Sequence, residues 1–187
     1  MLIGISGPSC SGKTTLAREI AALLDAPTLH LDRHFIEDAE RPLVNGHPSF
    51  EQPHQYDGMA LLDEAVSALD HHEHVVVEGF LLFHYPGFTT ICNHMVHLDV
   101  PHGVLAERRM ARAAAKAAAS EVKGGRKKAA DDGWSAHGQC EWMRHGEFQA
   151  RIAGMTIVRP GISHAGDQKS IASQLVASWP LQVACAA

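Results

Sequence analysis

Eight residues constrain this chain more than any others. Gly7-Pro8-Ser9-Cys10-Ser11-Gly12-Lys13-Thr14 reads G-x-x-x-x-G-K-T, between the apolar run Leu2-Ile3-Gly4-Ile5-Ser6 and a segment carrying Leu16, Ile20, Leu23 and Leu24 at helical spacing. A strand that turns through glycines straight into a helix points backbone N–H groups inward at the positive helix end, an arrangement that cradles phosphates. In such a loop Lys13 reaches the β- and γ-phosphates and Thr14 offers its hydroxyl to Mg²⁺. Gly7, Ser9, Cys10, Ser11, Gly12, Lys13, Thr14 and Thr15 are therefore the candidates for holding a nucleoside triphosphate, the Cys10 thiol itself being incidental. The chain has no G-x-G-x-x-G, which argues against a dinucleotide fold.

The remainder alternates strand and helix. Residues 28–32 read as a second strand, followed by a polar stretch with Pro42, Gly46, Pro48 and Pro53 that is not expected to be regular. Residues 58–69 form an amphipathic helix with Leu61, Leu62, Ala65, Val66 and Leu69 on one face, leading into a strand at Val75, Val76 and Val77 that is apolar on both faces. Further strands are expected at 95–100 and 155–158, and helices at 104–120 and 168–178. The result is a three-layer α/β domain with five parallel strands. At 187 residues and 45% hydrophobic content, a single domain spanning 1–187 is expected.

A net charge of −5 argues against nucleic acid as the default partner. Cys10, Cys92, Cys140 and Cys185 are far apart with no C-x-x-C pair, and no apolar run approaches the roughly 18 residues that span a bilayer. With no leader at its N-terminus, the chain is expected to be cytoplasmic, off the membrane, and to act on a small molecule as a monomer or homodimer. Of its 14 histidines only His71, His72 and His74 cluster, in what reads as a solvated connection rather than a zinc site.

Phosphoryl transfer needs carboxylates near the metal and the acceptor hydroxyl. Asp32 follows the second strand and Glu78 the third, so a parallel sheet brings both out at the carboxyl edge that carries the phosphate loop. Asp57 has two roles open to it, capping the helix that starts at Gly58 or contacting a ligand, and the two can coexist. Tyr56 could stack on a planar ring or pack over the sheet. From Leu105 to Lys128, eight basic residues face two acidic ones, a net +6 that leaves −11 for the rest. Arg108, Arg112 and Lys116 recur every four residues as a cationic stripe, suited to a lid that closes on polyphosphate and excludes water. The lid is expected at about 105–150, with a hinge at Gly124-Gly125.

The loop GPSCSGKTT, Leu31-Asp32, Gln55-Tyr56-Asp57 and VVVEGFLLFHY at 75–85 resemble the nicotinamide riboside kinases within the uridine kinase-like P-loop group. The resemblance covers roughly the first 112 residues. It implies a P-loop fold like that of the nucleoside monophosphate kinases with a helical lid, and ATP-dependent phosphorylation of a small-molecule hydroxyl with Mg²⁺. By the same resemblance Asp32 is the base that meets the substrate hydroxyl and is also a metal residue with Thr14 and Glu78, Glu78 stands beside the substrate, Tyr56 and Asp57 contact the base and ribose, and Arg108 or Arg112 acts from the lid with Lys13. The chain departs from the family in three places, one of them an Ala/Lys/Gly insertion in the lid. Arg112-Ala113-Ala114-Ala115 lacks the aromatic that helps sandwich the nicotinamide, and Arg33 replaces the second acid after the catalytic Asp. Trp134 and Trp142 could replace that stacking or be core and hinge residues. Two alternatives stay open: a kinase of another small alcohol, such as pantothenate or a sugar, and a nucleotide-dependent switch or accessory NTPase.

Overall fold

The computed structural model describes residues 1–44, 47–48, 52–122 and 167–180. The expected strand at 155–158, the lid beyond residue 122 with its Gly124-Gly125 hinge, Trp134 and Trp142 lie outside the described residues, as does the side chain of Lys116.

Strand β1 (Leu2–Ser6) is buried at every position, and the phosphate loop delivers it into helix α1 (Lys13–Leu24). Strand β2 (Thr28–His30) follows, then a 3₁₀ turn over Leu31–His34. Two-residue strands β3 (Leu43–Val44) and β4 (His47–Pro48) pair antiparallel, and a second 3₁₀ turn covers Pro53–Gln55. Helix α2 (Gly58–Leu69), β5 (Val75–Gly79), a 3₁₀ turn at Leu82–His84, α3 (Pro86–Ile91), β6 (His94–His97), α4 (His102–Val122) and α5 (Asp167–Ser178) complete the order.

The main sheet runs β2-β5-β1-β6, and its pairings are parallel. Because side chains alternate across a strand, register assigns each residue to a layer. Ile3, Ile5, Val76 and Val96 pack with Leu16, Ala17 and Ile20 of α1 and with Ala172 and Leu175 of α5. Leu2, Val75 and Val77 pack on the opposite face with Leu61 and Ala65 of α2 and Phe88 of α3. Both faces are covered, which gives the expected three layers. From β1 the chain winds first toward β2 and later crosses to β6, so the order reverses at β1, where ligands of open α/β sheets bind at the carboxyl edge.

Several boundaries differ from the sequence reading. Strand β2 stops at His30, because Leu31 begins a 3₁₀ turn and turns its side chain into the core, fully buried. Strand β6 ends at His97 rather than at residue 100. The stretch expected to be irregular carries the short β3–β4 ladder and a bridge between Phe35 and Tyr56. On α2 the buried stripe centres on Leu61 and Ala65, and Val66, about 100° further round the helix, is 48% exposed. Leu23 on α1 is likewise exposed. Helix α3 was not foreseen: Pro86 occupies its first turn, where a missing N–H costs nothing.

Candidate active site at the carboxyl edge

The phosphate loop is shaped by its backbone. Gly12 precedes α1 at φ 93°, in the left-handed region that a side chain disfavours, and a Cβ there would lie 2.4 Å from the Nε2 of Gln168 on α5. Cys10 adopts φ 68° without being glycine, a strained conformation of the sort found at ligand-binding turns. Ser11 N–H donates to the Pro8 carbonyl at 3.1 Å and Leu16 N–H to the Gly12 carbonyl at 2.9 Å, closing the loop onto the helix. Gly7 is buried, Ser9 and Cys10 are half-buried, and Thr15 is exposed on α1. The Ser11 hydroxyl is buried with no hydrogen-bond partner. Lys13 opens α1, half-buried, and Thr14 sits one residue into its first turn.

Glu78, expected just after its strand, is instead part of β5 and is only 5% exposed. The Thr14 hydroxyl donates to its Oε1 at 2.9 Å, and the same oxygen lies 2.8 Å from Nδ1 of His30. Its Oε2 is buried and has no partner. A buried carboxylate oxygen without a donor is costly, and a cation beside Thr14 would satisfy it. The residues present therefore fit a divalent ion held by one carboxylate and one hydroxyl, the sparse protein ligation typical of Mg²⁺ sites completed by phosphate oxygens and water. Among the described residues no group of three or more His, Cys, Asp or Glu side chains converges as a metal cage.

Asp32 lies in the 3₁₀ turn that leaves β2, exposed to solvent two residues beyond His30. Its turn is stapled to the segment before α2: Asp57 N–H donates to the His34 carbonyl at 2.8 Å, and Ile36 N–H to the Gln55 carbonyl at 2.8 Å. His34 also reaches Glu64 of α2 at 2.8 Å. The two acceptor-side segments singled out in the sequence are thus neighbours. Asp57 caps α2, its carboxylate accepting from Ala60 N–H at 2.9 Å. The Tyr56 ring packs edge-to-face between Phe35 and Phe80, each centroid 5.3 Å away.

Three residues that had no role assigned from sequence, two of them inside the quoted motifs, hold this frame. Gln55 is fully buried, donating from Nε2 to the Glu40 carbonyl at 3.0 Å and accepting from Gln52 N–H at 3.0 Å. Tyr85 donates to the Pro53 carbonyl at 2.7 Å, and burial, followed by the nearby Asp57 carboxylate, pushes its phenol well above the usual range. His30 stands beside Glu78; the signal for it was a histidine one residue before Leu31-Asp32, visible only once strand register was known. From α4, an Arg108 guanidinium N–H reaches the Ser11 carbonyl at 3.5 Å, and Arg112 lies exposed one turn further on. The structure therefore joins Thr14, Glu78 and His30 in one hydrogen-bonded group and ties Arg108 separately to the phosphate loop at Ser11, with Asp32 exposed two residues past His30.

A family model described as an AAA domain matches residues 3–128. The nicotinamide riboside kinase of Schizosaccharomyces pombe is 43% identical over 47 residues, 25% of this chain and 20% of that protein. The match spans only about a fifth of that relative's length. A gluconokinase from Sinorhizobium meliloti superposes with a TM-score of 0.57 at 18% identity, covering 94% of this chain and 90% of that one. Shikimate kinase from Acinetobacter baumannii gives 0.55 at 17% identity, with the same two coverages of 94% and 90%. At such identities the likeness is one of fold, an α/β P-loop kinase fold.

Proposed function

This chain belongs to the AAA domain family, and on that premise we propose that it is an ATP-dependent kinase of a small-molecule hydroxyl, its acceptor a nucleoside of the nicotinamide riboside or uridine type. The observation that carries the proposal is the meeting of Thr14 and the buried, half-satisfied Glu78 under the phosphate loop, with Asp32 on the adjoining strand's exit. Loop N–H groups and Lys13 hold the β- and γ-phosphates. Thr14 and Glu78 would hold Mg²⁺, whose positive charge would offset the negative charge of the phosphate oxygens. Asp32 takes the proton of the acceptor hydroxyl as that oxygen bonds to the γ-phosphorus and the bond to the leaving ADP breaks. Arg108, already at the loop, and Arg112 supply positive charge to the transferring group.

The nucleoside acceptor is supported by the motifs shared with the riboside kinases and by the packing of Tyr56 and Asp57 beside the Asp32 turn. One observation favours another small alcohol instead: Tyr56 is already enclosed by Phe35 and Phe80, and residues 113–115 offer no second aromatic. All 187 residues act as one cytoplasmic domain, with the lid at about 105–150, as a monomer or homodimer. The test is ADP release with Mg-ATP against nicotinamide riboside, uridine, cytidine, pantothenate and simple sugars. Stimulation by a riboside is expected. Release that ignores every acceptor, or none at all, would shift the assignment to a nucleotide-dependent switch.

A further inference from the structure

Parallel register makes His30 the direct neighbour of Glu78, and both share the α1 face of the sheet with Val76. The imidazole Nδ1 lies 2.8 Å from Glu78 Oε1, with side chains 18% and 6% exposed, so the contact is sheltered from solvent. An ionised carboxylate only accepts, which makes Nδ1–H the donor and fixes the tautomer. The Thr14 hydroxyl donates to the same oxygen. Two donors on Oε1 stop the carboxylate from rotating and leave Oε2 as the buried atom without a partner. The Thr14 oxygen, its O–H donated in a hydrogen bond to Glu78, keeps its lone pairs available.

We propose that His30 is a positioning residue: it locks the Glu78 carboxylate so that one oxygen is saturated by protein donors and the other is held ready for the divalent ion. The inference rests on the kinase assignment for its purpose, since an ion held here matters only if phosphates are brought to it. Its geometry belongs to this chain's own residues. Groups that orient a metal ligand typically govern metal affinity by 10- to 100-fold, and His30 touches Glu78 rather than any reacting atom.

The test is isothermal calorimetry of ATP binding to the full chain, with Mg²⁺ and with EDTA, for wild type and for His30→Ala, His30→Asn and His30→Gln. The Ala variant is expected to weaken ATP binding about 10-fold or more in Mg²⁺ and to leave it unchanged in EDTA. Asn, whose amide nitrogen sits where imidazole Nδ1 does, should restore most of the Mg²⁺-dependent affinity, whereas the longer Gln should not. Equal Mg²⁺ dependence in wild type and His30→Ala would overturn the proposal. So would parallel losses in Mg²⁺ and EDTA, or Asn behaving like Ala, because a purely structural role predicts both. Should the Ala variant not fold, the Asn and Gln variants decide the matter between them. Failure of every acceptor in the ADP assay, with the calorimetric pattern intact, would refute the kinase assignment and leave the role of His30 standing.

Discussion

Replacing Asp57 by Ala removes the acceptor of the 2.9 Å bond from Ala60 N–H and exposes the first turn of α2, while Asn retains an oxygen in the same place. Loss of such a cap costs about 1 kcal/mol, and Asn caps about as well as Asp. In a domain of this size about 1 kcal/mol lowers the melting temperature by roughly 2–4 °C. Asp57→Ala should therefore melt lower by that margin, and Asp57→Asn within about 1 °C of wild type. The same pair separates capping from ligand contact. If Asp57 also binds acceptor hydroxyls, Asp57→Asn raises the acceptor KM with kcat and melting nearly unchanged; if it only caps, neither kinetic constant moves. A further readout comes from Tyr85, whose phenol is held high first by burial and then by the Asp57 charge. Removing that charge should bring its titration down toward the ordinary range, measured by ultraviolet absorbance of the chain's two tyrosines. Thermal scans showing equal losses for Asn and Ala would refute the capping argument.

Lys13→Ala should weaken ATP binding itself, and unchanged affinity by calorimetry would contradict the phosphate-loop assignment. On the proposed role of its exposed carboxylate as base for the acceptor hydroxyl, Asp32→Asn should collapse kcat while ATP affinity is largely kept; a variant retaining most of its transfer rate removes Asp32 from the mechanism. A methyl group at Gly79 would stand 2.6 Å from Cβ of Leu31, so Gly79→Ala should destabilise the fold by about 1–3 kcal/mol through overpacking, and an unchanged urea midpoint would rule this out. Burial pushes the Cys92 thiol from 9.0 up to about 12. Between those values the unfolded chain has lost the proton and the folded chain has kept it, so stability should fall as pH rises through that window. Cys92→Ala should make the alkaline fall shallower, and identical slopes for the two proteins would refute this.

The phosphate loop could be read directly because its constraint is local. A backbone that must curl, point N–H groups inward and open a helix needs glycines at two places and a Lys-Thr at one, all within eight residues. The strand β5 and helix α2 were legible for a similar reason, since their periodicity is carried by consecutive residues. What could not be read was anything that depends on which strand lies beside which. His30 is an unremarkable polar residue until β2 is placed against β5 in a register that sets it opposite Glu78. Glu78 read as the residue just after its strand, yet β5 extends one residue beyond it and leaves it 5% exposed.

The acceptor side shows the same division. Tyr56 and Asp57 had two roles each on sequence alone. Tertiary contacts gave Tyr56 two aromatic neighbours, Phe35 from before the β3–β4 ladder and Phe80 from after β5, and made Asp57 the cap of α2. By itself, then, the sequence determined the layer order and the loop that holds phosphate, because hydrophobic period and turn chemistry act over a few bonds. Only the tertiary structure decided that one oxygen of Glu78 is saturated and the other left bare, because hydrogen bonds between residues 48 and 64 positions apart exist only once the sheet has closed.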